Sequence, residues 1–321
     1  MAKFKVLLTD YAWPDLEIEQ ALLALYDAEI VVAPATDEAT LASLAPSMDA
    51  IMTNWVDVRA PVIDAAKKCQ IISRLGIGLD CIDVARATEL RIPVTNVPDY
   101  CLIEVAEHSL ALLMALARKI HIFQADARAG GYDLAAGFPL RRIEGRTLGI
   151  IGLGHIGRRV AAKAAALGLH VVAASRSNHE PVAGVTQVDL DELLRSSDFV
   201  SLHVPLSDST RRLIDAQALA KMKPTAFLIN TSRGGVVDPA ALAAALADNR
   251  LAGAALDVHD PEPPDLTKPP YTDARVIVTP HAAFYSEEAV AELRRRAAHQ
   301  VGIRLAGGVP ENVVNPGVLG R

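Results

Sequence analysis

Short β-branched and aliphatic runs alternate with helical stretches from one end of the chain to the other. This alternation constrains the fold more than any other feature, because it is the pattern of successive βαβ units and therefore of parallel sheets covered by helices. In the first third, Lys5–Thr9, Glu29–Ala33, Ala50–Thr53 and Gln70–Ser73 read as strands. Asp15–Tyr26, Glu38–Leu44 and Pro61–Lys67 read as helices, the last with a proline suited to a first turn. A long helix is predicted over Leu102–Lys119, with an apolar stripe through Val105, Leu112, Leu113 and Leu116. After a polar stretch, Ala129–Arg142, six more strands follow: Thr147–Ile151, His170–Ala174, Phe199–His203, Ala226–Asn230, Gly253–Asp257 and Val276–Thr279. A last helix, Ser286–Leu305, precedes an irregular tail with Pro310 and Pro316. Following the final strand, that helix can return to the first domain and make it discontinuous.

Composition narrows the class. With 321 residues, 51% of them hydrophobic, the chain can bury two cores and is no disordered polymer. Its net charge of −6 comes without Lys/Arg blocks, which argues against nucleic acid as a partner. No apolar run reaches the ~20 residues that span a bilayer, and none forms a signal core after Lys3 and Lys5. Cys69, Cys81 and Cys101 suit neither a disulfide framework nor a metal site. The expectation is a cytoplasmic α/β enzyme with an aliphatic core, since only 4% of residues are aromatic.

Gly152-Leu-Gly154-His155-Ile156-Gly157 lies between a strand and a helix, the context that a dinucleotide-binding glycine motif requires. Gly152 permits the tight turn, Gly154 lets a pyrophosphate approach the backbone, and Gly157 lets the helix pack on the strand. At the end of the next strand, where NAD enzymes carry a carboxylate for the ribose, stands Ser175-Arg176-Ser177. These side chains suit a 2′-phosphate, which favours NADP. If Arg176 stacks on the adenine instead, NAD stays acceptable.

Ligands of open α/β sheets bind outside the carboxyl ends of the strands. Those ends hold His203-Val-Pro205, Ser232-Arg233, Asp257 to Glu262, and His281. Arg233 offers a planar fork to a carboxylate and its neighbouring oxygen. Glu262 and His281 follow adjacent predicted strands. A carboxylate bonded to an imidazole fixes its tautomer and leaves the other nitrogen to exchange a proton. Taken singly, each has an ordinary alternative: Arg233 can bond its own turn, Glu262 can be a solvated loop acid, and His281 can cap a helix. His108, His121, His170, His179 and His299 show no evident partner.

Four motifs in order, Gly152–Gly157, Asn230–Gly235, Asp257–Pro263 and Thr279–Ala282, resemble the D-isomer-specific 2-hydroxyacid dehydrogenases. The similarity extends to Arg74-Leu-Gly-Ile-Gly-Leu-Asp80 and to Val97–His108, which together with Tyr285–Glu288 looks closest to a branch similar to C-terminal-binding proteins. The resemblance implies a Rossmann dinucleotide-binding domain, residues 101–285, inserted into a flavodoxin-like catalytic domain, residues 1–100 and 286–321. It implies Arg233 as substrate-orienting, His281 as acid/base and Glu262 as its partner. Cofactor contacts are implied for His155, Ile156, Ser175, Arg176, His203, Pro205, Thr210, Thr231, Ser232 and Asp257, beside the three glycines. The substrate is expected at the amides of Gly76, Ile77 and Gly78, with Asn54 and Trp55 near its side chain.

The resemblance also implies a homodimer with Leu102–Lys119 near its interface, and a small 2-keto acid, glyoxylate or hydroxypyruvate favoured, interconverted with its D-2-hydroxy acid. The alternatives are a cofactor-sensing corepressor-like scaffold, or a phosphoglycerate, formate or phosphite dehydrogenase of the same fold. Cys81 stands where many relatives have Asn, and His259 replaces a frequent Phe. The chain ends at Arg321 without the regulatory extension of some phosphoglycerate dehydrogenases, which lowers the expectation of a serine-pathway role.

Overall fold

A computed structural model describes residues 2–176 and 182–319. The sequence candidates Ser177 and His179 lie outside the described residues. The chain divides into two compact units, Met1–Tyr100 with Ser286–Arg321, and Cys101–Tyr285.

The first unit holds five parallel strands: β1 (Phe4–Leu8), β2 (Ala28–Val32), β3 (Ala50–Thr53), β4 (Ile72–Arg74) and β5 (Val94–Thr95). Their order, β2-β1-β3-β4-β5, is that of flavodoxin. β5 was not expected. It spans two residues after Pro93, too short for a period-2 pattern to register. The core is aliphatic, with Leu7, Ile51, Ile63 and Ile72 fully buried. The helix Glu287–Leu305 closes this sheet from the far end of the chain. Its Arg294, only 6% exposed, donates to both carboxylate oxygens of Glu19, which has no exposure, and to Asp15. That guanidinium holds the Asp15 carboxyl below its ordinary value.

The second unit contains β6 (Thr147–Ile151), β7 (His170–Ala174), β8 (Val185–Gln187), β9 (Phe199–Leu202), β10 (Phe227–Asn230), β11 (Gly253–Leu256) and β12 (Val276–Val278). Their order is β12-β11-β10-β9-β6-β7-β8, all parallel, the doubly wound Rossmann arrangement with one strand added. The sheet thus has seven strands among the described residues rather than six; β8 is short and half exposed, so no apolar run announces it. Successive residues fall in opposite cores: Leu228 and Ala254 on one face, Ile229 and Ala255 on the other. Both faces are covered, which explains why these strands read as continuous apolar runs.

The predicted long helix is present and ends two residues early, at Leu102–Ala117. Lys119 then takes a left-handed conformation (φ 49°), and a second helix that the sequence reading does not include spans Ile120–Arg128. The apolar stripe itself is buried as expected, Val105, Leu112, Leu113 and Leu116 all being 6% exposed or less. Asp189, Asp215 and Asp238 each cap a helix by accepting first-turn N–H groups, worth about 1 kcal/mol apiece.

Candidate active site

The dinucleotide motif sits at the point where the strand order reverses, between β6 and β9. Gly152 has φ +98°, and a Cβ there would lie 2.4 Å from the His203 carbonyl oxygen. At Gly157 a Cβ would lie 2.1 Å from the Gly152 oxygen, so helix and turn meet backbone to backbone. Gly154 faces open space at the N-cap of the helix His155–Ala166. Beside it opens a cavity of about 450 Å³ lined by Gly152, Gly154, Ser175, Arg176, His203, Pro205 and Thr210 among others. An open cavity against free helix N–H groups fits a dinucleotide diphosphate.

Arg176 is exposed at the cavity rim, and its Nη1 donates to Ser209 Oγ at 2.5 Å. Ser209 and Ser207 hydroxyls lie 3.0 Å apart. Thr210 is buried, and its hydroxyl donates to the Pro205 carbonyl at 2.6 Å, tightening this loop. Burial pushes the His203 imidazole down to about 4, so it is neutral at pH 7, with Nε2 2.9 Å from Ser201 Oγ. Its folded value lies below its unfolded one, so the unfolded chain binds the proton first. The stability it contributes is complete above about 6.5 and is lost as pH falls towards about 4. Urea midpoints should therefore fall more steeply across that window for the wild type than for His203→Gln; equal slopes would refute this.

The ends of β10, β11 and β12 lie side by side. After β10, Ser232 N–H and Oγ both donate to Asn230 Oδ1, while Asn230 Nδ2 donates to the Arg233 carbonyl. The Arg233 Nη1 donates to the Ser232 carbonyl at 2.7 Å, which helps set its fork. Thr231 is buried, its hydroxyl 2.8 Å from Ser109 Oγ. A Cβ on Gly234 would lie 2.0 Å from the His259 carbonyl, so the Arg233 turn rests directly on the loop carrying Glu262. His281 Nδ1 is 2.9 Å from Glu262 Oε2, and Glu262 Oε1 accepts the His259 N–H at 3.2 Å. The pairing read from separate strand ends is formed.

His281 has φ +52°, a conformation costly for a side-chain-bearing residue and kept only where its surroundings enforce it. Asp257 enforces it. Its carbonyl accepts the His281 N–H at 2.8 Å. Its carboxylate, fully buried, accepts Ala282 N–H at 2.8 Å, Ala283 N–H at 2.9 Å and the Thr279 hydroxyl at 2.6 Å. The structure thus shows Asp257 shaping the His281 turn.

Two histidines have partners that the sequence does not announce. His108 does have a partner: its Nε2 lies 3.1 Å from Thr279 Oγ1 and 3.5 Å from Asp257 Oδ1. Nothing local signals this, because 171 positions separate His108 from Thr279. His259 Nε2 lies 3.1 Å from the Thr279 carbonyl and its ring meets Tyr271 edge to face, so it ties the Glu262 loop to the His281 loop. A phenyl ring cannot make that tie.

In the first unit, the Asp10 carboxylate gathers the N–H groups of Asn54, Trp55 and Val56 at 2.8–3.3 Å, shaping the turn after β3. Asn54 is buried, and its Oδ1 accepts from Arg74 Nη1 at 3.3 Å. Gly76, Ile77 and Gly78 follow β4; Gly76 is buried and the other two half-buried. Among the described residues no group of three or more His, Cys, Asp or Glu is placed to hold a metal.

Residues 110–283 match the model of the D-isomer specific 2-hydroxyacid dehydrogenase NAD-binding domain. A hydroxypyruvate reductase from Thermotoga maritima is 36% identical over 292 residues, 90% of this chain and 94% of the relative. A glyoxylate reductase from Korarchaeum cryptofilum is 39% identical over 279 residues, 84% of each. The solved acyclic imino acid reductase Bsp5, in complex with NADPH and D-Arg, superposes with a TM-score of 0.86 at 31% identity, covering 97% of this chain and 99% of that one. By contrast, the chain spans about half the length of the curated D-3-phosphoglycerate dehydrogenases it matches. With motif, sheet order and matched relatives in agreement, the chain belongs to the D-isomer-specific 2-hydroxyacid dehydrogenases, a family of NAD(P)-dependent oxidoreductases.

Proposed function

We propose that the protein reduces a short 2-keto acid, glyoxylate or hydroxypyruvate, to the D-2-hydroxy acid, with NADPH as the favoured reductant. The observation that carries this is the His281–Glu262 pair at 2.9 Å, resting beside the Arg233 turn at the strand ends of a nucleotide-binding unit. With Nδ1–H donating to Glu262, Nε2 of His281 is the atom that exchanges a proton with the substrate oxygen. Arg233 orients the 2-oxo acid through its planar fork and stabilises charge developing on the carbonyl oxygen. The Gly76–Gly78 amides take the carboxylate. When bound, the reduced nicotinamide supplies the hydride that C2 receives. A keto acid, NADPH and a proton thus give a hydroxy acid and NADP⁺. A sensor that only binds cofactor has no use for a proton donor with a carboxylate partner, so the pair disfavours the scaffold reading. Turnover of a 2-keto acid panel with NADPH and NADH, followed by nicotinamide absorbance, tests the assignment; no turnover with any member refutes it.

NADPH preference is supported by the cluster of Arg176, Ser209 and Ser207 at the cavity rim, which offers a cation and hydroxyls to a 2′-phosphate. Arg176→Asp should reverse the preference, raising the KM for NADPH by about 10–100-fold while that for NADH changes little. An unchanged NADPH/NADH ratio would remove the role. We further read the protein as a cytoplasmic homodimer. Three free thiols suit a reducing compartment. Ile103, within the segment Leu102–Lys119 expected near the interface, leaves a large apolar side chain exposed, as do Ile120, Tyr132, Leu134 and Phe138 beyond that segment.

A further inference from the structure

We propose that Arg74 and Asn96 are positioning residues that preset the Gly76–Gly78 loop to bind the substrate carboxylate through its backbone N–H groups. The proposal rests on the 2-keto acid reading above.

Four consecutive carbonyls of this loop are each held by the protein. Arg74 takes the first and the last: its Nη1 donates to the Leu75 oxygen, and its Nε to the Gly78 oxygen at 3.1 Å. The Val97 N–H donates to the Gly76 oxygen at 3.0 Å. Asn96 Nδ2 donates to the Ile77 oxygen at 2.7 Å. In a trans peptide the C=O and the following N–H point in opposite directions. Fixing the carbonyls of Leu75, Gly76 and Ile77 therefore turns the N–H groups of Gly76, Ile77 and Gly78 the other way. Among the described residues no protein acceptor takes any of the three. Successive unclaimed amides form a concave anion site, and the guanidinium beneath them adds positive charge.

The two side chains are themselves held. Arg74 and Asn96 are each 9% exposed. Arg74 Nη1 also donates to Asn54 Oδ1 at 3.3 Å, and its Cζ lies 2.8 Å from where a Cβ on Gly76 would stand. The Asn96 carbonyl accepts from Gln300 Nε2 at 3.1 Å, and Gln300 Oε1 accepts the Asn312 N–H at 3.0 Å. The helix that returns from the end of the chain thus fixes Asn96, which fixes Ile77. Cys81 contributes a half-buried thiol that burial pushes up. A thiol is a weak donor, and the side chains that hold the loop carbonyls are Arg74 and Asn96.

The test compares Asn96→Leu, which keeps the size but removes the donor, with Arg74→Lys, which keeps the charge but cannot serve two carbonyls with one planar fork. In each, the KM for the 2-keto acid and the inhibition constant for oxalate should rise at least about tenfold. Over the same variants kcat should stay within about threefold, and the NADPH dissociation constant and thermal midpoint should hold. Should one variant fail to fold, the other decides. Unchanged KM and oxalate inhibition in a folded variant, or a lower midpoint and kcat at constant KM, would overturn the positioning role. A wild-type protein that neither binds oxalate nor turns over any 2-keto acid would instead overturn the reading beneath it.

Discussion

His281→Asn should lower kcat for 2-keto acid reduction by about 10²–10⁴, the range that a positioned general acid contributes. NADPH binding should be largely retained, because the cavity beside the glycine turn is lined by residues at or after the ends of β6, β7, β8 and β9 and does not include His281. Asparagine tolerates the left-handed backbone at this position better than most residues, so the Asp257 contacts to Ala282 and Ala283 can persist and the loss isolates the imidazole. Glu262→Gln should reproduce part of the loss, since a neutral amide cannot support the imidazolium as the carboxylate does. Steady-state kinetics with cofactor titration by fluorescence would check both. Near-wild-type turnover by His281→Asn would remove the acid–base assignment.

The second large effect concerns stability. Arg294→Leu should cost about 3–5 kcal/mol, because Glu19 would remain buried with its charge uncompensated. The ion pair is weak evidence for net stabilisation by itself. The double replacement Glu19→Leu with Arg294→Leu should therefore recover most of the loss. Asp15 adds a direction with pH: its folded value lies below the ordinary carboxylate value, so its contribution is present above that value and is lost as pH falls through the lowered one. Denaturant unfolding of wild type, the two single variants and the double variant would decide. A double variant no more stable than Arg294→Leu would show that packing rather than charge sets the cost.

Much of this was legible in the sequence because it is local. The glycine motif declares its own turn, and Arg233, Glu262 and His281 stand at strand ends where parallel-sheet chemistry gathers. What escaped depends on distance along the chain or on brevity. His108 meets Thr279 across 171 positions, and Glu19 meets Arg294 across 275. β5 and β8 are two and three residues long, below what periodicity can register. The helix Ile120–Arg128 buries no residue fully, so no strong apolar stripe announces it after Lys119. The glycines Gly76 and Gly78 were visible, but the carbonyl partners that orient their loop were not.

The return of the chain to its first unit also sets an order of events during synthesis. Residues 101–285 form one compact unit and are synthesised before the helix Glu287–Leu305. At about 5–20 residues per second, making them takes roughly 10–40 s. Throughout that interval the nascent amino-terminal segment lacks Arg294 for Glu19, Gln300 for Asn96, and Asn315, whose Oδ1 accepts the Val94 N–H at the edge strand. The earlier-made sheet can therefore be completed only after the whole nucleotide-binding unit has been made, and until then its β5 edge lacks the carboxyl-terminal segment that bonds it.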